Sequence, residues 1–579
     1  MGTLLYLLLI GGALLVLAVR NYLAGRHLRR IRGPPAPSWL LGHNEMMNNQ
    51  IEVGALQKEW MKEYGTLCRL KTCFSEDVLE ICDPKALQYI FHKSGYHFTK
   101  GPFGRQTARE IAGPGILYAQ DQDHARIRKI MNPAFTSAQL RSFLPLFRGS
   151  AQKLAQNWKD LLQTTPDNAQ RINVQSWLAR CTLDVIGEVG FDVQCGALDD
   201  SLNPVMHAYK NMFLDAIPFP SKKTMIFRHF WKYIPMPILK YVQYIPTKEH
   251  VRFRQTLKVI NNFARGLIEE KTEAVLAGKN ENKKDIMSIL VNANASENPK
   301  SRLTDEEMIS QVATFLLAGH ETTASSMTWM LYEIARHPEY QGKMREEVRA
   351  IRARVTERGD TDFSVSDLDA MTYVLAAMKE VMRLHPIVYM LIRYSTRDEV
   401  LPLAYPVTTT KGEVVDEVPI PKGTNCSISI WAYNRRVWLL KIVDTLPQIW
   451  GPDADEFVPE RWIEHEKIGQ IQLGVTSNLM TFSAGLKACI GCAFRSPHIL
   501  TKFSSCASFT FYLPVRMFRW RFSIIEMQAI LVELIEQFEF AIPEDKPEII
   551  RFPAGLVAPL VKDDMKAGPQ MPLRVTLTQ

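Results

Sequence analysis

The chain has 579 residues, 46% hydrophobic and 22% charged, ordinary globular usage that excludes a small binding module, wholesale disorder and collagen or coiled-coil arrays. Its 69 basic and 61 acidic residues leave a net charge of +8, too thin an excess over this length to call for nucleic acid as a partner. Nine scattered cysteines lack the dense spacing of a secreted disulfide framework and fit a reducing compartment.

Residues Met1 to Val19 carry no charge, and Leu4 to Val19 is almost wholly Leu, Ile, Val and Ala. At helical rise this run reaches roughly 29 Å, so 1–19 reads as a transmembrane anchor. It lacks the basic leader and the small-residue cleavage site of a signal peptide. Arg20, Arg26, Arg29, Arg30 and Arg32 follow without an acid, which by the positive-inside rule keeps the body cytosolic. Gly33-Pro34-Pro35-Ala36-Pro37 completes a basic, proline-rich, non-helical linker over 20–37. Residues 38–579 show no repeat of 20 to 50 residues and read as one domain.

Short β-type runs occur near Leu67 to Cys82 and Thr424 to Trp431, while helical periodicity dominates from Asp121 to His385. The predicted fold class is mainly α with small β-sheets. Phe219 to Pro246 mixes aromatic, proline and lysine residues, a composition that suits either a membrane interface or ordinary core. Gly278 to Asp285 and Asn294 to Arg302 are polar and read as surface loops.

Thr304-Asp305-Glu306-Glu307 is a capping box that opens a long helix to Arg336, ahead of Pro338. In its middle, Ala318-Gly319-His320-Glu321-Thr322-Thr323 pairs a glycine that admits close approach with a hydroxyl able to compete for the carbonyl one turn back. Such a segment can open into a groove, and a carboxylate beside a hydroxyl can relay protons. Ser366-x-x-Asp369 predicts the start of another helix ending at His385-Pro386, with Glu380 and Arg383 on one face. Alone this is a surface ion pair; Arg461, in the turn Phe457-Val458-Pro459-Glu460-Arg461-Trp462, could complete a buried Glu-Arg-Arg network. Phe482-Ser483-Ala484-Gly485-Leu486-Lys487-Ala488-Cys489-Ile490-Gly491 has glycines four before and two after its cysteine, which suits a tight loop approaching a flat ligand through a metal-bound thiolate. Cys489-x-x-Cys492 as half a zinc site lacks a second pair at suitable spacing.

In this order, these four motifs resemble the cytochrome P450 superfamily of haem-thiolate monooxygenases, and the resemblance covers nearly the whole chain. It is most similar to membrane-anchored microsomal members, including His124-x-x-x-Arg128 before Asn132-Pro133-Ala134-Phe135 and Met571-Pro572-Leu573 near the end. The resemblance implies the P450 fold, with a long central helix over haem b. It makes Cys489 the axial ligand of the haem iron, with Phe482, Gly485 and Gly491 shaping its loop. His124, Arg128, Arg393 and Lys487 become candidates for the haem propionates, Lys487 replacing a commoner arginine. Glu321 and Thr322 would deliver protons to bound dioxygen, and Glu380, Arg383 and Arg461 would form a structural network. Phe315, Ala318, Val388, Leu391 and the Phe552 to Leu556 loop are candidate contacts to a lipophilic substrate. Electrons would come from a separate NADPH-dependent flavoprotein reductase, since no fused flavin domain or glycine fingerprint is visible. The implied location is the endoplasmic reticulum membrane, single-pass.

Two stretches depart from the family pattern. Between Gly491 and the expected continuation at Trp520 stand 28 extra residues, Cys492 to Arg519, and a weaker anomaly spans 436–446. For the first, the expectation is an unspliced intron translated in frame, with a genuine loop insertion as the alternative. If real, the insertion is expected to detach the following helix from Cys489, giving a non-catalytic or haem-deficient membrane protein as one alternative. A haem-thiolate isomerase or peroxygenase is the other.

Overall fold

The computed structural model describes residues 25–199, 203–278, 285–294, 302–435, 453–464, 478–491 and 522–578, with Gly12, Trp450, Leu473, Gly474 and the backbone of Cys492. The expected anchor apart from Gly12, most of both polar loops and both anomalous stretches apart from the Cys492 backbone lie outside these residues. Among the described residues no helix is long and apolar enough to cross a membrane.

The named strands are β1 (Leu67–Lys71), β2 (Asp77–Ile81), β3 (Phe98–Thr99), β4 (Ala169–Asn173), β5 (Met390–Ser395), β6 (Glu399–Thr408), β7 (Val414–Ile420), β8 (Asn425–Ser429), β9 (Phe538–Ala541), β10 (Ile549–Ala554), β11 (Leu556–Val561) and β12 (Pro572–Leu577). A five-stranded sheet has the order β1-β2-β8-β5-β3, and only its β2–β8 pair is parallel. The two β-type runs read in the sequence supply three of its strands. The hairpins β6–β7 and β10–β11 and the sheet β4-β12-β9 lie outside those runs. Leu28 and Ile31 are buried in the main core, and Ile31 bridges to Thr409, so the chain joins the body ahead of Gly33.

Long helices make up most of the rest: α1 (Asp121–Met131), α2 (Ser137–Leu162), α3 (Val174–Phe191), α4 (Lys248–Leu276), α5 (Asp305–Arg336), α6 (Pro338–Glu357), α7 (Thr372–Leu384) and α8 (Phe522–Gln537). The mainly α reading with small sheets holds. Helix α5 starts at the expected box, where Glu307 N donates to Thr304 Oγ1 at 3.2 Å and Thr304 N to Glu307 Oε2 at 2.9 Å. Such a cap is worth about 1 kcal/mol. It runs through the interior, buried on nearly every side, and packs on α3, α4, α7 and α8.

The predicted helix from Ser366 is two helices. Ser364 and Asp367 form the cap of a short turn, Val365–Asp369, and the chain restarts at Thr372. The Glu347 carboxylate on α6 accepts from Tyr373 N and Val374 N, both at 3.0 Å, so a neighbouring helix caps α7. No local pattern signals a cap supplied from elsewhere.

Candidate functional site

The cysteine loop is closed by its own backbone. Cys489 N donates to Phe482 O at 2.9 Å and Ala488 N to Gly485 O at 3.1 Å, around a short turn at Gly485–Lys487. Gly485 has φ +64°, and a Cβ there would stand 1.8 Å from Phe91 O, so this position admits only glycine. Arg128 on α1 reaches across to donate to Ala488 O at 2.5 Å, which sets a guanidinium beside half-buried Cys489.

Helix α8 is not detached. A Cβ on Gly491 would lie 3.1 Å from Ser523 Oγ, so the first turn of α8 adjoins the cysteine loop and the expected displacement by the insertion does not occur. Packing of its apolar residues, Phe522 against Phe135 and Phe147 among them, holds α8 in the core whatever precedes it. Its positive N-terminal end thus favours a thiolate at Cys489. One turn on, Glu526 accepts from Thr323 Oγ1 on α5 at 3.1 Å, so a single helix touches both the cysteine loop and the residue after Thr322.

On α5, Thr322 Oγ1 donates to Ala318 O at 2.6 Å, the bond to the preceding turn expected from the sequence. The helix nevertheless stays α-helical throughout and opens no groove, because the hydroxyl adds to the ladder without displacing it. The close approach at Gly319 comes from α3, where Ile186 Cδ1 would lie 2.8 Å from an added Cβ. Burial pushes the Glu321 carboxyl up to about 7.

A cluster of cations surrounds the other side of the cysteine loop. Lys487 Nζ donates to Thr99 Oγ1 at 3.1 Å and Gln120 Oε1 at 3.2 Å, Lys100 donates to Leu117 O, and His124 Nδ1 meets Tyr96 OH at 3.1 Å. Arg393 is buried and donates to the carbonyl of Ile392. Among the described residues no carboxylate makes an ion pair with Lys100, Arg393 or Lys487. Burial, then Arg393, Lys487 and Arg105, hold the Lys100 ammonium down to about 7. Burial and Arg393 bring Lys487 to about 8. Burial and the cations Lys100 and Arg128 push His124 to about 3. So many buried cations, opposed at Lys487 only in part by Asp121, form a site for an anionic group.

The Glu380 network is fully buried, not a surface pair. Arg383 donates to both Glu380 oxygens at 2.9 and 2.8 Å; Arg461 Nε, Trp462 Nε1 and Val458 N donate to them at 2.9, 2.8 and 3.0 Å. Arg383 also reaches Ala454 O and Glu456 O, and Arg461 reaches Trp450 O and Asp453.

A cavity of about 450 Å³ is lined by Met390 and Ile392 with Phe103, Met225 and Trp231, and it takes in Pro553 and Gly555 of the 552–556 loop. Strand alternation puts Leu391 on the face of β5 that carries Arg393, and Phe315, Ala318 and Val388 also stand outside this cavity. Phe315 is core, packed on Phe135 at 6.0 Å, whereas Ala318 is exposed to interior space beside Thr322.

The cytochrome P450 family model matches residues 32–499. This chain belongs to the cytochrome P450 family. It is 34% identical to cytochrome P450 monooxygenase 128 of Postia placenta over 95% of this chain and 92% of that protein. It is 33% identical to monooxygenase 205 of the same fungus over the same shares, and 30% identical to cytochrome P450 monooxygenase claQ of Ampulloclitocybe clavipes over 86% and 90%. The family carries haem iron, and the residues of this P450 fit it: a cysteine between a helix N-terminus and a guanidinium, next to buried cations that match the haem propionates. Sequence reading missed Lys100 and Arg105, whose buried Nε has no partner. Nothing in Lys100-Gly101-Pro102 marks a lysine as buried; only the fold brings it to Lys487.

Proposed function

We propose that this P450 is a haem-thiolate monooxygenase that inserts one atom of dioxygen into a lipophilic small molecule. The Glu321–Thr322 pair carries the reading. In it Cys489 would bind the haem iron, and His124, Arg128, Arg393, Lys487 and Lys100 would hold the propionates. Phe482, Gly485 and Gly491 keep the loop close to the macrocycle, while Glu380, Arg383 and Arg461 brace it. Bound haem supplies dioxygen activation, favoured by electron donation from its thiolate ligand.

The chain's own residues manage protons. The Thr322 hydroxyl is committed as a donor to Ala318 O, so its lone pairs accept from water. Glu321 retains a proton near neutral pH and can pass it to water ordered in this way. An isomerase or peroxygenase, which needs no delivery of protons to dioxygen, has no use for this arrangement.

Electrons come from a separate NADPH-dependent flavoprotein reductase. The anchor holds the protein in the endoplasmic reticulum membrane with its body in the cytosol. An exposed aromatic surface supports that placement: Tyr241 and Tyr244 are 59% and 64% exposed, Lys240 lies over the Tyr241 ring, and Trp39, near the start of the described chain, is 68% exposed. Trp39 packs on Phe74 and Phe74 on Phe230, which joins Trp39 to the aromatic segment that carries both tyrosines. Reconstitution with reductase, NADPH and a panel of lipophilic compounds tests the reading. Oxygenated product formed without reductase or peroxide would overturn it.

A further inference from the structure

His320 precedes Glu321 on α5, is 1% exposed, and has no hydrogen-bond partner at either ring nitrogen. Buried polar atoms are nearly always paired, and an orphaned one costs stability. The polar groups around it are engaged elsewhere. Thr182 Oγ1 on α3 donates to the backbone carbonyl of His320 at 3.1 Å, and the Tyr209 ring packs at 5.8 Å with its hydroxyl donated to Ala313 O at 3.2 Å.

The Glu321 carboxyl stands apart from these. Its Oε1 lies 3.9 Å from His320 Nδ1, too long for a hydrogen bond but within reach of a small side-chain rotation or of one bridging water. The two groups are also matched in charge state. Burial keeps the imidazole neutral, down to about 4, while it holds the carboxyl proton up to about 7. A neutral acid and a neutral imidazole thus stand 3.9 Å apart, the ring buried and the Glu321 side chain 23% exposed, a pairing that suits a hydrogen bond better than an ion pair.

We propose that His320 is a positioning residue for Glu321: its Nδ1 accepts the carboxyl O–H, directly or through one water, and so fixes that acid beside Thr322. The proposal rests on the reading of Glu321 as proton donor. His320 touches neither substrate nor cofactor in it and acts only through Glu321.

The test uses the full-length, haem-loaded protein and the variants His320→Leu and His320→Gln, with Glu321→Gln to assign the infrared carbonyl band of the Glu321 acid. In the parent that band is expected at the position of a hydrogen-bonded carboxyl; a position typical of an unbonded carboxyl overturns the proposal. In His320→Leu the band should move to higher wavenumber, the midpoint of thermal unfolding should fall, and product formed per dioxygen consumed should drop several-fold. His320→Gln, whose amide oxygen also accepts, should keep most of all three. A His320→Leu protein with an unmoved band and an equal or higher midpoint overturns the proposal, because replacing two truly orphaned nitrogens by an apolar group is neutral or stabilising. Should His320→Leu not fold, the parent band decides alone. Band and midpoint are read without turnover, so they stand apart from the monooxygenase reading, which the coupling ratio tests.

Discussion

Gly491 and Ser523 are neighbours in space although the 28 residues read from the sequence as an insertion, Cys492 to Arg519, lie between them in the chain: a methyl group on Gly491 would lie 3.1 Å from the Ser523 hydroxyl. The insertion therefore leaves and rejoins the body at nearly one point. Closing a chain segment of that length costs about 3 kcal/mol in entropy. We expect the full chain and the chain lacking Cys492 to Arg519 both to bind haem with the thiolate-type absorption of the reduced, carbon monoxide-treated form, the shorter one with a higher unfolding temperature. A thiolate spectrum from the shorter chain alone would restore the haem-deficient reading.

Removing the Thr322 hydroxyl should separate dioxygen consumption from product. In Thr322→Ala the acceptor that orders water next to Glu321 is gone, while the backbone of α5 loses only a redundant bond. Product per dioxygen should fall several-fold with peroxide rising in step, measured by oxygen electrode and product assay. An unchanged ratio would show that Thr322 has no part in proton delivery.

Lys100 makes the stability of the haem-free protein depend on pH. Its ammonium titrates near 7 in the folded chain against 10.5 when free, so between these values the unfolded state binds more protons and stability rises with pH. Thermal midpoints of the haem-free protein should climb from pH 7 to pH 10, and Lys100→Met should flatten that climb. The same substitution should weaken haem binding about tenfold, in line with loss of one charge-assisted bond, read by haem titration. A steep climb retained in the variant would place the effect elsewhere.

Glu380→Ala strands two guanidinium groups and an indole N–H in the interior, since Arg383, Arg461 and Trp462 all donate to that carboxylate. Breaking a buried ion pair on one side costs about 3–5 kcal/mol. Soluble, haem-loaded protein should nearly vanish, and Glu380→Gln should recover part of it. Normal yield and melting temperature in Glu380→Ala would refute a structural role.

Local signals were legible where the chain answers to its own neighbours. The capping box at Thr304 fixes the start of α5, Pro338 lies just past its end, and the glycines around Cys489 permit the loop that its own backbone then closes. The order of motifs was enough for the family. Everything that depends on which distant group comes alongside had to wait for the fold. Glu347 caps α7 from another helix, Lys100 finds Lys487 across the sequence, β5 puts Leu391 on the face of Arg393, and α8 keeps its seat against Gly491 through apolar packing. Sequence spacing sets backbone propensity within a few turns, whereas burial, charge crowding and the partner of an orphaned imidazole are set by contacts between segments that the chain order does not encode.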